Sequence, residues 1–410
     1  MSHTVNAKRV VRNMPTEQRL DRELMRRSNE KYVLMTLLTA KEASKAYLSK
    51  KTGISLMSIS RIADGLTRLG LLTETELKSQ GTRAGGRPPQ GLTINAEKLL
   101  CCGIHLGKQA LHMSIVNPYG RVLEEEWIPY QATQDFTSDY VLAWMAQHLE
   151  NFLKRWRGRG LLSNVGIVVS GIVDVEKGEL EFSANLRLKN CGFVEYLKKA
   201  MPDFDFFLEN DVKALAQAEY QYGASAGVQN IVVLNMDDGI GSATVQDGRL
   251  YRARHNIAGE IGHIILNPNG KVCECGQTGC LQTYLAKHVI LNEARMMYPD
   301  INLKKLFERS QKNEPFAVAL VKQVVDYASI AINLLATMYA PDVIVISGST
   351  IWESPILRDM IEKNYKNRLN KYMSSTFQLK FDSFGPSSYV VGGAAVAFGR
   401  VIETLQLRHV

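Results

Sequence analysis

A cluster of one histidine and three cysteines is the feature that most constrains the fold of this chain. The four residues lie within eighteen positions, and the cysteines follow the spacing C-x-C-x4-C: His263, Cys273, Cys275 and Cys280. Zinc in such sites is bound by a short loop that folds back on itself, and Gly276 and Gly279 permit the tight turns that this loop requires. We therefore predict a zinc site with these four ligands. The alternative is three ordinary buried thiols beside an unrelated histidine.

Length and composition bound the class of protein. A chain of 410 residues favours two or three domains, and 45% hydrophobic and 22% charged residues are typical of a soluble globular protein. We see no apolar run long enough to span a bilayer, and the N-terminus is polar and basic, unlike a signal peptide. The sequence therefore predicts a cytoplasmic protein without a membrane partner. Cys101, Cys102 and Cys191 are interpreted as buried small residues in a reducing compartment.

The positive charge is concentrated in the first quarter of the chain. Residues 1–95 contain 17 Lys and Arg against 8 Asp and Glu, a balance of +9, whereas residues 96–410 contain 32 against 33. Such segregation is expected when one domain meets a polyanion and the other does not. It indicates a nucleic-acid-binding domain over residues 1–95.

Three helices are predicted within that basic region. A helical period begins near Ser28, a short helix over 46–52 ends at Gly53, and Ser55 caps a third helix over 56–69. The inward face of the third helix is predicted to contain Ile59, Ile62, Ala63, Leu66 and Leu69.

This order of helices is typical of a helix-turn-helix, whose last helix enters the major groove of DNA by its N-terminal end. The favoured DNA contacts are therefore Ser55, Ser58 and Arg61. The alternative is a three-helix packing module that does not meet DNA.

Two short strands, 71–74 and 92–94, flank a stretch rich in glycine and arginine. They predict a hairpin wing over 71–95 that also serves as the domain linker. The Gly-Gly-Arg-Pro tip is narrow enough to place Arg87 in a minor groove. Arg-Pro is also common in plain linkers, so a boundary without a DNA contact is the alternative.

Strands and helices alternate beyond residue 99. Predicted strands are two runs within 100–116 joined by a turn at Gly107-Lys108, then 165–170, 206–208, 230–235, 242–245, 250–251 and 343–347. Predicted helices are 140–155, 212–222, 284–297, 316–339 and 390–400. This alternation predicts α/β lobes around a cleft.

Several motifs carry a resemblance to a known family. Glu260-x-Gly262-His263, the C-x-C-x4-C cluster, Glu209-Asn210-Asp211 and the N-terminal helix-turn-helix resemble the ROK family of sugar kinases and sugar-responsive repressors, over essentially the whole chain. The resemblance implies a winged helix-turn-helix followed by an actin-like ATPase fold of the sugar kinase/Hsp70 type. The two lobes of that fold would span 96–210 and 211–393, and the C-terminal helix 394–410 would return to the first lobe. It also implies sugar bound between the lobes, structural zinc nearby, and a homodimer or homotetramer.

Both phosphate loops of the family's kinases are altered here. Asp-x-Gly-Gly-Thr is replaced by the run 105–109, His-Leu-Gly-Lys-Gln, and Gly-Thr-Gly-x-Gly by the run 237–241, Asp-Asp-Gly-Ile-Gly. Asp237 and Asp238 would then face the phosphates of ATP, each contact costing about 4 kcal/mol at about 4 Å and an effective dielectric near 20, with nothing visible in the loop to compensate. We therefore predict that the chain is not an enzyme. A sugar kinase with an added DNA-binding domain is the alternative.

The sugar side of the resemblance is better preserved. Positions that match the family's sugar contacts are Asn185, Asn210, Asp211, Glu260 and His263. The alternative role of Asp211 is the N-cap of the following helix, which is compatible with a sugar contact. Gln282 stands where the family usually supplies a sugar-binding glutamate, and the amide changes both charge and hydrogen bonding. A degenerate pocket, or control by a protein partner, is the alternative at this site.

Together these features predict a transcriptional regulator that represses sugar-utilisation genes. A dimer would bind a pseudo-palindromic double-stranded DNA operator, and a sugar or sugar phosphate closing the cleft would release it. A scaffold that never meets DNA is the third class of function.

Overall fold

A computed structural model describes residues 16–76, 90–130, 137–369, 371–373 and 375–404 of the protein. Two compact units can be distinguished. The first contains the described residues up to Leu100 and from Phe398 onward, and the second contains Cys101–Ala397.

The first unit begins with three helices and a three-stranded antiparallel sheet of order β1-β3-β2. Its elements are α1 (Thr16–Ala40), β1 (Ala43–Ser44), α2 (Lys45–Thr52), α3 (Leu56–Arg68), β2 (Leu72–Glu76) and β3 (Gln90–Ile94). The prediction that the first helix begins near Ser28 was wrong, because α1 already begins at Thr16. β1 was not predicted: it is two residues long, and its signal is the pairing of Ala43 with Leu92 rather than a local pattern.

Local chemistry explains the predicted turn between α2 and α3. Gly53 has a left-handed backbone (φ 74°), and its N–H donates to the carbonyl of Ser49, which ends α2 as expected. The hydroxyl of Ser55 accepts from the N–H of Ser58 at 3.3 Å and begins α3. The buried face of α3 was predicted apart from Leu69, which is 44% exposed because α3 ends one residue before it.

The second unit contains two five-stranded mixed sheets. The first sheet has the order β11-β7-β4-β5-β6 and the second β14-β13-β12-β15-β16. The strands of the first are β4 (Leu100–Leu106), β5 (Ala110–Val116), β6 (Val122–Pro129), β7 (Leu161–Val169) and β11 (Asp205–Asn210). The strands of the second are β12 (Ile231–Met236), β13 (Ile240–Gln246), β14 (Arg249–Tyr251), β15 (Val343–Ser347) and β16 (Gln378–Phe381).

A small antiparallel sheet and ten further helices complete the described fold. The small sheet contains β8 (Ile172–Asp174), β9 (Glu179–Ser183) and β10 (Leu188–Cys191). The helices are α4 (Ser138–Lys154), α5 (Phe193–Ala200), α6 (Asp211–Gln221), α7 (Gln282–Leu285), α8 (Lys287–Arg295), α9 (Leu303–Gln311), α10 (Pro315–Tyr339), α11 (Ser349–Trp352), α12 (Pro355–Asn364) and α13 (Ser388–Thr404). The predicted helix 284–297 is divided, because Ala286 has extended backbone (φ −62°, ψ 136°) between α7 and α8.

Close glycine contacts seat α13 on the first sheet. A Cβ atom on Gly103 of β4 would lie 1.8 Å from the carbonyl oxygen of Val390, and one on Gly166 of β7 would lie 1.9 Å from that of Gly393. Only glycine permits such an approach between strand and helix backbones. The glycines in these strands therefore fix where the C-terminal helix packs.

Helix α10 is the centre of the second sheet's core. Its buried residues, among them Leu320, Val324 and Ile332, belong to one large apolar cluster. By length and composition it is the one described helix apolar enough to cross a bilayer, which corrects our expectation that no such run exists. Half of that apolar window is buried within the protein, as in the core helix of a globular domain.

Candidate functional site

The six residues predicted to bind an effector line one cavity of about 410 Å³ in the second unit. They are Asn185, Asn210, Asp211, Glu260, His263 and Gln282. Elements from both five-stranded sheets contribute, including the β4–β5 turn, the β12–β13 turn and the start of α6. A volume of this size suits a small organic ligand.

Asn210 and Asp211 are presented by the junction of β11 and α6. The Asn210 side-chain oxygen accepts from the N–H groups of Val212 and Lys213 at 3.1 and 3.2 Å, and its amide donates to the carbonyl of Gly171 at 3.1 Å. Asn210, not Asp211, is therefore the N-cap. Asp211 occupies the first helical position and accepts from Val212 N–H at 2.9 Å, which leaves its second oxygen for a ligand.

Burial, with the help of the charges of Glu260 and Asp237, raises the pKa of Asp211 to about 7, although the hydrogen bond from the N–H of Val212 acts to lower it. An unfolded aspartate titrates near 4, so the native state binds more protons than the unfolded state between about pH 4 and pH 7. The free energy of unfolding therefore falls as the pH rises from about 4 to 7, and this contribution is constant above that range.

Replacing Asp211 with asparagine is expected to remove this dependence, since the amide still accepts from Val212 N–H. The free energy of unfolding of the variant should exceed that of the wild type by roughly 1–4 kcal/mol at pH 8. At about pH 4 the two free energies of unfolding should be equal. Chemical denaturation at several pH values measures the difference. Asp139→Asn, at an exposed position in the first turn of α4, is the control and should change little at either pH. An equal effect of Asp211→Asn at both pH values would contradict the assignment.

Lys213 is a cavity residue that sequence reasoning missed. It is 2% exposed, and its ammonium group donates to the carbonyl of Asn256 at 2.8 Å. Burial lowers its pKa, whereas the neighbouring charges of Glu209, Glu260 and Asp211 raise it. A lysine in the first turn of a helix opposes the helix dipole, and that unfavourable placement was the available signal.

Glu209 anchors the segment that leads to the Glu260–His263 wall of the cavity. Its carboxylate is 1% exposed and accepts from Arg252 Nε and Nη2 at 3.1 and 2.5 Å, and from Asn256 Nδ2 at 3.1 Å. It also accepts from the N–H of Asn210 at 3.0 Å. The buried carboxylate of Glu209 therefore connects the β11–α6 junction to the segment 252–256 through hydrogen bonds.

The altered phosphate loops contact groups of the protein itself. Asp237 accepts from the hydroxyls of Ser349 and Tyr389 at 2.5 and 3.0 Å. Asp238 lies 3.8 Å from Lys108 Nζ, a pair that joins the two altered turns. The partners of the two carboxylates therefore lie outside the loop 237–241 itself.

His105 stands in the first altered loop and stacks on Tyr389, with ring centroids 4.3 Å apart. Burial lowers the pKa of His105 to about 3, so the imidazole is neutral at physiological pH. This position therefore supplies neither the carboxylate that holds magnesium in a phosphoryl-transfer site nor a positive charge for phosphate.

The His-Cys cluster has the dimensions of a tetrahedral metal site. The ligand atoms of His263, Cys273, Cys275 and Cys280 lie within 4.8 Å of one another. Cys275 Sγ and Cys280 Sγ are 3.7 Å apart, as are Cys273 Sγ and His263 Nδ1. Tetrahedral zinc with Zn–S of about 2.3 Å and Zn–N of about 2.0 Å requires ligand separations of roughly 3.6–3.8 Å. These residues therefore fit a metal ion.

The loop geometry agrees with the predicted roles of its glycines. Gly276 and Gly279 have φ of 88° and 79°, and a Cβ on Gly279 would lie 1.6 Å from the carbonyl oxygen of Asn267. Because Nδ1 of His263 faces the thiols, its Nε2 is the nitrogen left for the cavity.

The predicted DNA contacts lie around the start of α3. Ser55 and Arg61 are exposed, and Ser58 is half-buried with its hydroxyl 3.0 Å from that of Ser55. Met57, which sequence reasoning did not single out, is 74% exposed beside them. Arg87 lies outside the described residues, as does the wing tip around it.

The comparisons with known proteins place the chain in one family. The sequence profile of the ROK family matches residues 101–400. The chain belongs to the ROK family. NagC of Escherichia coli strain K12, a DNA-binding transcriptional dual regulator, is 24% identical over 377 residues, which cover 89% of this chain and 91% of that protein. The xylose repressor of Bacillus spizizenii strain W23 is 22% identical over 389 residues, or 94% and 99% of the two chains.

Solved ROK structures confirm the actin-like fold. A ROK family transcriptional regulator, a homologue of the E. coli MLC protein, superposes with a TM-score of 0.78 at 26% identity and covers 94% of this chain and 98% of its own. A ROK family glucokinase from Streptomyces griseus in complex with glucose and AMPPNP gives 0.63 at 23% identity and covers 73% of this chain and 99% of its own. The kinase therefore shares the fold but matches a smaller part of the chain.

Proposed function

We propose that this ROK protein is a cytoplasmic transcriptional repressor of sugar-utilisation genes that binds an operator through α3 and a sugar in the 410 Å³ cavity. The observation that carries the proposal is coverage: a ROK transcriptional regulator matches 94% of the chain, whereas the glucokinase matches 73%. The family profile begins at residue 101, and a match to 94% of the chain must include most of the basic region before it. A regulator rather than a kinase accounts for that region.

The loss of kinase activity is supported by the altered loops. Asp237 directs its carboxylate to Ser349 and Tyr389, so a negative group stands where a kinase loop would cradle phosphate. The Asp238–Lys108 pair joins the two altered turns. A phosphate entering between them would have to break this pair and meet both carboxylates, which accounts for a cleft that binds sugar without transferring phosphate.

We propose zinc as the ion held by the four-residue cluster, in a structural role. Three thiolates and one imidazole are a set that zinc favours in closed structural sites, where no position is open for water. The ion would fix His263 and hence the wall that reaches Glu260. Zinc therefore supports the sensing cavity rather than activating a water.

The first unit is proposed to be a winged helix-turn-helix that binds double-stranded DNA as part of a homodimer or homotetramer. Its charge balance of +9 over residues 1–95 supports an electrostatic contact with phosphate. Two copies would place two α3 helices on the half-sites of a pseudo-palindrome. Binding of sugar would change the affinity of the protein for that operator, because the ligand stabilises one of two conformations that differ in their affinity for DNA.

Arg61→Ala is expected to lower the ratio of operator to non-specific affinity by about 10- to 100-fold, the range of one bidentate base contact. The operator is first obtained by selecting bound duplexes from a random library with the wild-type protein, and affinities are then measured by anisotropy at fixed salt. Arg68→Ala, in the last turn of the same helix, is the control and should leave the ratio within about threefold. An unchanged ratio for Arg61→Ala would refute this contact. Failure of the wild type to select any sequence would refute the proposed function.

A further inference from the structure

Met57 occupies the centre of the outward face of α3. Four buried side chains mark the inner side of this helix: Ile59, Ile62, Ala63 and Leu66. At about 100° per residue, Met57 lies almost opposite their mean direction. It is 74% exposed, and its neighbour Leu56 is 52% exposed. Two consecutive large apolar side chains are therefore presented to solvent at the N-terminal end of the helix.

The location of Met57, rather than its exposure, distinguishes it from other surface methionines. Met296 in the second unit is 85% exposed, so exposure by itself does not indicate a contact. Met57 instead belongs to the region with a charge balance of +9 over residues 1–95, which is complementary to DNA. Arg61 follows one helical turn later on the same face, about 6 Å along the axis. A groove that admits the guanidinium group of Arg61 therefore admits the thioether as well.

The polar groups around Met57 have partners within the protein. Ser55 Oγ accepts from the N–H of Ser58 at 3.3 Å and donates to Ser58 Oγ at 3.0 Å. The Ser55 hydroxyl therefore serves as the N-cap, and its proton is already used. The carboxylate of Asp64, farther along the same face, is paired with Lys45 Nζ at 2.9 Å. Recognition at the tip of α3 consequently falls to the apolar side chain.

An apolar side chain can recognise one feature of the major groove. Thymine presents a methyl group there, whereas the patterns of the other bases consist of hydrogen-bond donors and acceptors. A methionine has no donor for the acceptors of guanine or adenine, so packing against them would bury polar groups without partners. Its flexible, polarisable thioether adapts well to a methyl group.

We propose that Met57 contacts the 5-methyl group of a thymine in each operator half-site and thereby fixes that base pair. The proposal rests on the proposed function, in which α3 binds an operator. It goes further by assigning part of the sequence discrimination to an apolar side chain rather than to the hydroxyls of Ser55 and Ser58.

The test replaces thymine with uracil, which differs only in lacking the 5-methyl group. Duplexes that the full-length wild-type protein selects from a random library are synthesised again with deoxyuridine at each thymine of one half-site in turn. Affinities are measured by fluorescence anisotropy at fixed salt. For at least one thymine, the replacement should weaken wild-type binding about threefold or more, the effect expected when one methyl-sized group is no longer buried.

A substitution connects that methyl group to Met57. Met57→Ala should bind the unmodified operator at least about threefold more weakly than the wild type. It should also bind the sensitive uracil duplex and its thymine parent with affinities that agree within about twofold, because the partner of the methyl group is gone. Met296→Ala, the control, should match the wild type on both duplexes. Circular dichroism confirms that each variant is folded, as expected for changes at exposed positions.

Three outcomes would overturn the methyl contact while leaving a sequence-specific regulator intact. They are a wild type that is insensitive to uracil at every thymine, a uracil effect of equal size in Met57→Ala, and an unchanged operator affinity of Met57→Ala. The last result is the one expected if Met57 instead contacts another protein chain. Failure of the wild type to select any sequence would overturn the proposed function, and the methyl contact with it.

Discussion

Replacing Cys280 with serine is expected to release the bound metal ion and to lower the free energy of unfolding by roughly 3–5 kcal/mol. Cys280 is fully buried, and its Sγ lies 3.7 Å from that of Cys275. A hydroxyl is a poor ligand for zinc, and the three remaining groups do not close a tetrahedral site.

The loss should extend to the effector. His263 is held at one ring nitrogen by the metal cluster and presents the other to the cavity, and Gln282 follows Cys280 by two residues. Without the ion both groups lose their fixed positions, so we expect effector affinity to fall at least tenfold, the equivalent of one hydrogen bond of about 1.4 kcal/mol. Operator binding in the absence of effector should persist, because α3 belongs to the first unit.

Elemental analysis, thermal unfolding and calorimetry measure these three quantities. Cys191→Ser is the matched control, because Cys191 is equally buried but lies outside the cluster. Cys191→Ser should keep one metal ion per chain. Its effect on the free energy of unfolding should be smaller than that of Cys280→Ser. Metal retained in Cys280→Ser, or a wild type purified without chelator that contains none, would contradict the metal site.

Local sequence signals were sufficient for many of the regular elements and for the metal cluster, but not for β6, β16, α5, α9 and α12, which were not predicted. The cluster was predictable because spacing and glycine placement act over a few residues, and the turn at Gly53–Ser55 because caps are local as well. The small sheet β8–β10, the two-residue β1 and the break at Ala286 were not predicted. β1 depends on β3, a partner distant in sequence, whereas β8–β10 are neighbouring strands of only three to five residues, too short for a periodic pattern. The break at Ala286 is a single extended residue between two helices.

The candidate site was predicted in part, for a similar reason. Family motifs identified six of the residues that line the cavity, but not how their polar atoms are paired. The roles of Asn210 and Asp211 at the helix start were exchanged, because only backbone geometry distinguishes the cap from the first helical position. Asp237 looked like an unpaired obstacle to phosphate, since its partner Ser349 lies 112 residues away in sequence. Side-chain pairing across such distances has no local signature.

Removal of the Arg252 side chain is expected to have the second large effect, a destabilisation of about 3–5 kcal/mol. Arg252 is the charged partner of Glu209, whose carboxylate is 1% exposed. Alanine would leave that carboxylate buried with only neutral donors, from Asn256 Nδ2 and the N–H of Asn210. A buried charge without its counter-ion costs more than the ion pair itself contributes.

The expected destabilisation by Arg252→Ala has a second cause, which is the backbone conformation of the segment 252–256. Ala253, His255 and Asn256 all have left-handed backbone, with φ of 53° to 55°. Each such residue costs about 1–2 kcal/mol unless the surrounding contacts hold it. The contacts of Asn256 with Glu209 and Lys213 supply that restraint. When Arg252 is lost we expect the segment to relax, displacing Glu260 and lowering effector affinity at least tenfold.

Two companion variants separate these causes. Arg254→Ala changes an exposed arginine two residues along that forms no ion pair within the described chain, and it should shift stability by less than about 0.5 kcal/mol. Combining Arg252→Ala with Glu209→Gln should recover most of the lost stability, because the amide keeps an acceptor for Asn210 N–H without a buried charge. Chemical denaturation of the wild type, Arg252→Ala, Glu209→Gln and the double variant measures the coupling between the two side chains. If the double variant is no more stable than Arg252→Ala alone, packing of the arginine rather than its charge holds the segment.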